Sequence, residues 1–206
     1  MDENTTLTRG ERTRSEIMNA AQQLFVQNGY HGASMRQIAQ QADVALGGIY
    51  NHFDSKEQIF LTVLTEMHPL HYVLPLMATA QGSTIEEFVR EAAKQMVTGV
   101  GERLEFVNLI FIELVEFKGE HLPQIFNIFF PRIMEFAQHI ALSYGELRPI
   151  PLPVLVRAYI GLFFSYIMTE LLLSKQLPPE MGQDALDHFV DIFLHGILVE
   201  NPSPAE

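Results

Sequence analysis

Apolar positions recur along this chain at intervals of three and four residues, and no stretch keeps the two-residue alternation of a strand, so helices are predicted throughout. After Thr13, the residues Ile17, Ala20, Ala21, Leu24 and Phe25 make one helical stripe, and Gly29 follows as a C-terminal stop. A two-turn helix is predicted from Ser34 to about Gln41, burying Ile38 and Ala39. Ala42-Asp43-Val44 then leads to a third short segment, Ala45 to about Asn51. Ser55 opens a fourth helix, which Pro69 or Pro75 should end or kink. Four capping boxes mark helix starts, at Thr13–Glu16, Ser34–Gln37, Ser55–Gln58 and Thr84–Glu87. In each, the hydroxyl accepts from a backbone N–H three residues on, and the acid or amide there reaches back.

From Thr84 the texture changes to longer helices parted by proline or glycine, read as 84–99, 102–118, 122–144, 153–174 and 182–198. The segments 102–118 and 153–174 are apolar on more than one face, which predicts places in the middle of a bundle. The fold class is all-α, with a compact N-terminal unit over 1–60 and a larger helical body over 61–206. Residues 1–11 are expected to form a flexible arm.

Composition narrows the function classes. The chain has 206 residues, of which 48% are hydrophobic and 18% charged, enough for a core. Cysteine is absent, which excludes disulfides, thiolate catalysis and cysteine-rich zinc sites. The polar N-terminus lacks the apolar core of a signal peptide. The longest charge-free apolar run, Ala158 to Thr169, is too short to span a bilayer, so a soluble cytoplasmic protein is expected. The net charge of −12 disfavours a nucleic-acid partner at first sight, but it is unevenly placed. Residues 1–60 carry five basic and seven acidic groups, whereas 61–206 carry eight and eighteen.

Residues 34–53, SMRQIAQQADVALGGIYNHF, have the layout of a helix-turn-helix. Ala39 is small where two helices must approach, and Val44 can plug the angle between them. The second helix of such a pair fits a DNA major groove. Gly47 and Gly48 weaken that helix by about 1 kcal/mol each relative to Ala. The cost is tolerable where a bare backbone must approach phosphate or base edges. By spacing alone, an ordinary helical corner with a glycine-rich bend reads the same way.

The flanks are more specific. The stretch Arg12 to Phe60 resembles the DNA-binding domain of the tetracycline-repressor (TetR) family of transcriptional regulators. The match runs through Ala20-Ala21, Leu24-Phe25, Gly29-Tyr30, Ser34-Met35-Arg36-Gln37-Ile38-Ala39, Ala42-Asp43-Val44, Gly47-Gly48-Ile49-Tyr50-Asn51-His52-Phe53 and Ser55-Lys56-Glu57. The resemblance implies a homodimeric regulator, most simply a repressor, that reads palindromic double-stranded DNA through a recognition helix on each subunit and responds to a small-molecule effector. Carried over, it puts Tyr50, His52, Lys56 and Ser34 on backbone phosphates. Arg36, Leu46, Gly48 and Asn51 fall on the base-reading side, with Ala45 and Gly47 completing the DNA-facing set. Two departures stand out. Ala45 replaces a small hydroxyl residue, and Leu46 a polar or basic one, so few hydrogen bonds are expected to read sequence. The arginines between Thr5 and Arg14 either compensate at phosphates or the minor groove, or belong to a solvated terminus.

The resemblance also implies that the body binds the effector and forms the dimer. The chain's fifteen Phe and nine Met, of which twelve and six lie in 61–206, can line an adaptable apolar cavity or simply fill a core. Asn108, Glu113 and Glu116 lie in a strongly apolar context, and a carboxylate there needs a partner. A structural ion pair is the favoured reading for Glu113. The ligand-binding candidates are His68, Tyr72, Phe106, Ile110, Glu113, Phe117, Phe126, Phe130 and Tyr166. The effector is expected to be apolar or amphipathic. By the family's arrangement, helices near 153–174 and 182–198 pair with their symmetry mates. Asp184, His188, Asp191 and His195 share one face of the last helix, but a polar face beside a dimer contact is the commoner arrangement, so no metal and no cofactor is assigned. No phosphate-binding glycine loop, HExxH or GxSxG occurs, so no enzyme activity is expected. The competing reading is a lipophile-binding helical protein or enzyme with a vestigial helix-turn-helix. A membrane-associated protein would need a basic amphipathic face, which the acidic body lacks.

Overall fold

A helix begins where its first orphan N–H groups find acceptors, and Thr8 supplies the first such point. In the computed structural model, which describes residues 8–144, 147–173, 176 and 178–197, the Thr8 hydroxyl accepts from the Glu11 N–H. The Glu11 carboxylate accepts in return from the Thr8 N–H at 2.7 Å. Helix α1 (Arg9–Gly32) therefore starts one turn before Thr13, and the box expected at Thr13–Glu16 lies inside it. The upstream box prevails because it closes on both sides. Of the expected arm, residues 9–11 are helical, and the segment before Thr8 lies outside the described residues. At the other three sites the hydroxyl half of the box forms as read. Ser34 accepts from Gln37 N–H, Ser55 from Gln58 N–H and Thr84 from Glu87 N–H. They open α2 (Met35–Gln41), α4 (Lys56–Glu66) and α6 (Ile85–Gly101), with α3 (Leu46–Ile49) between the first two.

Beyond α4 comes α5 (Leu70–Ala78), which the sequence reading did not separate. Pro69 stands at its start, where a missing N–H is harmless, and Pro75 lies within it. Then follow α7 (Leu104–Glu116), α8 (Leu122–Tyr144), α9 (Leu152–Leu173), α10 (Pro179–Gly182) and α11 (Ala185–Ile197). Among the described residues no strand forms, and the fold is all-α.

The chain divides into two compact units at points the sequence did not mark. The first comprises residues 1–68 and 103–127, so α7 packs with α1 and α4. Its core is built on Ile17, Phe25, Ile38, Ile49, Phe60 and Leu109, all shut from solvent. The second unit comprises residues 69–102 and 128–206. There Val73, Phe88, Ala93, Phe163, Val190 and Phe193 form the centre of a second core. Helix α9 is less buried than its composition predicted: Val154, Ile160 and Phe164 are exposed. By length and composition, Leu152–Glu170 is apolar enough to cross a membrane. Arg157 interrupts the charge-free run, which is why the run alone looked too short.

Candidate nucleic-acid interface

Two short helices and a tight corner make the site. Helix α2 buries Ile38 and Ala39, and the corner turns at Asp43, which adopts a left-handed conformation (φ 54°). The Val44 N–H donates to the Ala39 carbonyl at 3.0 Å and closes the corner. Asp is among the residues that tolerate this backbone, because its short polar side chain can bond locally. Helix α3 buries Ile49, and Phe53 is buried just beyond its end. With those four side chains inward, the opposite side of the pair is left open. Ser34, Arg36, Ala45, Leu46, Gly47, Tyr50 and Asn51 are exposed, and Gly48 and His52 are partly so. Leu46 and Tyr50 are 43% and 52% exposed. A Cβ added at Gly47 would meet nothing within 4 Å, and one at Gly48 only Val44 at 3.9 Å. Neither glycine is demanded by the protein's own packing.

Not every nominated residue stands free. Lys56 donates to the Tyr30 carbonyl at 2.6 Å and to the Ala33 carbonyl at 2.7 Å, with its ammonium 4.0 Å from the centre of the Tyr30 ring. It is a clamp on the end of α1, with one N–H left over. Burial lowers its pKa from the usual lysine value. The Ser34 hydroxyl is likewise engaged, donating to Gln37 Oε1 at 2.6 Å. Of the arm's arginines, Arg9 and Arg12 are exposed on the first turns of α1. Arg14 makes a two-pronged pair with Glu66 at 2.5 and 2.6 Å, which raises its pKa and ties α1 to α4.

The frame depends on residues the sequence reading passed over or left without partners. At Gly29 the backbone of α1 breaks (φ 73°), and the freed N–H groups of Tyr30 and His31 donate to the Glu116 carboxylate at 3.1 and 3.0 Å. Glu113, completely buried, accepts from the His121 N–H and faces His121 Nδ1, both at 2.8 Å. The ring's other nitrogen lies 3.5 Å from Glu57. Phe117 stacks on Phe60 at 4.9 Å and meets Tyr30 at 4.5 Å. The signal in the sequence was the carboxylates of an otherwise apolar α7; the partners, eight and eighty-six residues away, carried no local mark.

The nine ligand candidates are dispersed. Phe117 and Glu113 have the roles just described, Phe106 is buried beside His68, and Ile110 is half-buried. Tyr72 and Phe126 are exposed, Phe130 is half-buried, and Tyr166 packs on Phe189. None lines the cavity that the second unit contains. That cavity has a volume of about 150 Å³ and a wholly apolar surface, with walls from α5, α6, α8, α9 and α11 that include Phe88, Met96, Phe136, Tyr159 and Phe193. On α11, Asp191 is ion-paired with Arg90 of α6, and His195 Nδ1 bonds the Asp191 carbonyl. Among the described residues no three histidine or acidic side chains cluster as a metal would require.

Residues 17–63 match the family model described as bacterial regulatory proteins, tetR family. Over 176 residues, covering 73% of this chain and 87% of the relative, the chain is 26% identical to the HTH-type transcriptional regulator UidR of Escherichia coli strain K12. Residues 17–63 are thus a TetR-family domain. These likenesses support a TetR-family DNA-binding transcriptional regulator, and the open face of α2 and α3 lies in the matched segment. Solved structures agree in fold. The fatty acid degradation regulator FadR from Bacillus halodurans superposes with a TM-score of 0.69 at 16% identity, over 92% of this chain and 97% of that one. The FadR of Bacillus subtilis, solved in complex with stearoyl-CoA, superposes with a TM-score of 0.67 at 16% identity, over 88% and 98%.

Proposed function

We propose that the protein is a homodimeric transcriptional repressor that leaves a palindromic operator when a small apolar or amphipathic effector fills its helical body. The observation that carries the DNA half is the open face of α2 and α3, held by Ile38, Ala39, Ile49 and Phe53 beneath it. Arg36 is the one base-reading candidate with a charged hydrogen-bonding group, suited to guanine. Asn51 adds amide contacts, and Leu46 and Ala45 offer only apolar contact, for example to a thymine methyl. Tyr50, His52 and Ser34 meet phosphates, and Gly47 and Gly48 let the backbone come close. Lys56 contributes mainly by fixing the end of α1, with its remaining N–H directed to phosphate.

The effector half is supported by the apolar cavity, and the FadR held with stearoyl-CoA offers a fold-level precedent for an amphipathic ligand. The dimer is supported by the exposed apolar residues of α9 and by the exposed Ile192 of α11. A helix this apolar and this open to solvent is best accounted for by a second copy of the chain.

The test is selection of bound fragments from the source genome with purified protein, followed by affinity for the winner against salt. The expected result is a short palindrome bound by a dimer, with affinity falling steeply as salt rises. Recovery of fragments no better than random, from folded protein, would overturn the reading in favour of a lipophile-binding protein.

A further inference from the structure

A cavity admits what its surface can replace water for, and the cavity of the second unit offers one kind of contact. Apart from Tyr159, every described residue of its wall is Ala, Val, Leu, Ile, Met or Phe. Tyr159 contributes its ring, which lies 4.5 Å from Phe163 and 5.3 Å from Phe193. Its hydroxyl is closed off, and no polar atom of the described wall reaches the cavity surface. A hydroxyl or carbonyl brought inside therefore gives up its water and receives no partner in return. A carboxylate or phosphate loses far more, since no cation faces it. A hydrocarbon gives up nothing and gains by leaving water. The volume, about 150 Å³, is of the order that holds one benzene-sized molecule in a dry apolar cavity. Met77 and Met96 stand in the wall, and unbranched thioether side chains yield to irregular shapes, so a ring carrying a short alkyl group is accommodated as well as a bare one.

We infer that the ligand of this cavity is a small uncharged hydrocarbon, a single ring with at most a short alkyl group, held by apolar contact alone and selected against polar molecules of its own size. This deepens the reading of the cavity as the effector site and rests on it. Of the apolar and amphipathic effectors proposed above, it takes the apolar one.

The experiment is calorimetric titration of the full chain, without DNA, with toluene, phenol and octanoate. Toluene and phenol match in size and differ by one hydroxyl, and octanoate is an amphipath whose head has to stay outside. Toluene is expected to bind, phenol at least about tenfold more weakly, the cost of one buried hydroxyl left without a partner, and octanoate most weakly. Ala137→Leu and Ala141→Leu each put bulk into the cavity from α8 and should remove toluene binding in whichever of them keeps the parent's helicity. Phenol binding as tightly as toluene would overturn the inference without any variant, and so would no binding of any probe. Octanoate binding more tightly than toluene would overturn it in favour of an amphipath, and toluene binding that persists in a folded, filled variant would place the hydrocarbon elsewhere. Operator binding is scored on separate samples, so these results leave the operator reading standing. Toluene that fills the cavity and leaves an operator complex undisturbed would overturn the effector reading and leave the cavity's ligand class in place.

Discussion

Two glycines in the first unit make opposite demands on a methyl group. At Gly29 the backbone is left-handed, and an added Cβ would come within 2.9 Å of Glu116 Oε1. Gly29→Ala therefore meets both strain and a carboxylate that is already holding two N–H groups. A loss of about 1–3 kcal/mol is expected, read as a lowered midpoint in urea denaturation. At Gly47 the space outside is empty. Gly47→Ala should raise stability by about 0.5–1 kcal/mol through helix propensity and still weaken operator binding, because the missing side chain makes room for DNA. Denaturation and a DNA titration on the same preparation check both halves. A variant that binds DNA as well as the parent would show that this glycine makes no room for DNA.

At the scale of elements, α2 and α3 separate scaffold from face. Arg36→Ala and Tyr50→Ala should leave unfolding unchanged, since both side chains are exposed. Each should weaken operator affinity. Loss of Tyr50 should act on all sequences alike, whereas loss of Arg36 should cost about 1–3 kcal/mol and relax discrimination at one base pair, measured against singly altered operators. On α9, Phe164→Glu places a charge on an exposed apolar face and should convert dimer to monomer in sedimentation, with helicity retained. The extents of these helices were legible in the sequence because caps and apolar periodicity are local. Ser34, Ser55 and Thr84 were readable for that reason, and Thr13 misled because Thr8 offered a closed box of the same chemistry five residues earlier. Which side of α2 and α3 stays open was legible because the buried set Ile38, Ala39, Ile49 and Phe53 dictates it. The cavity was not. Its walls come from five helices and are made of the same apolar residues as any core, so composition could not tell Phe136 from Phe126.

At the scale of the molecule, charge and phenols set the response to solution conditions. Tyr30, Tyr159 and Tyr166 all have pKa values raised chiefly by burial. The unfolded chain ionises these phenols from the ordinary tyrosine value of about 10 upward, while the folded chain keeps them neutral. Their contribution is thus complete below that value and is lost as pH climbs past it, so stability should fall progressively above about pH 10. Tyr159→Phe should make that fall shallower, as followed by helicity in an alkaline titration.

The arrangement of the first unit also bears on how such a regulator can be taken apart. The segment that carries the family's signature, residues 17–63, is not the piece that holds itself together. Residues 103–127 supply Glu116 to the break in α1, Phe117 to the aromatic cluster and His121 beside Glu57. A DNA reader transplanted onto another regulator by cutting after residue 60 would arrive with Phe60 and Tyr30 uncovered and two backbone donors unanswered. A chimaera that carries residues 1–68 together with 103–127 should keep its fold and its operator. Exchange of this chain's DNA reader therefore has to move two distant stretches of gene at once.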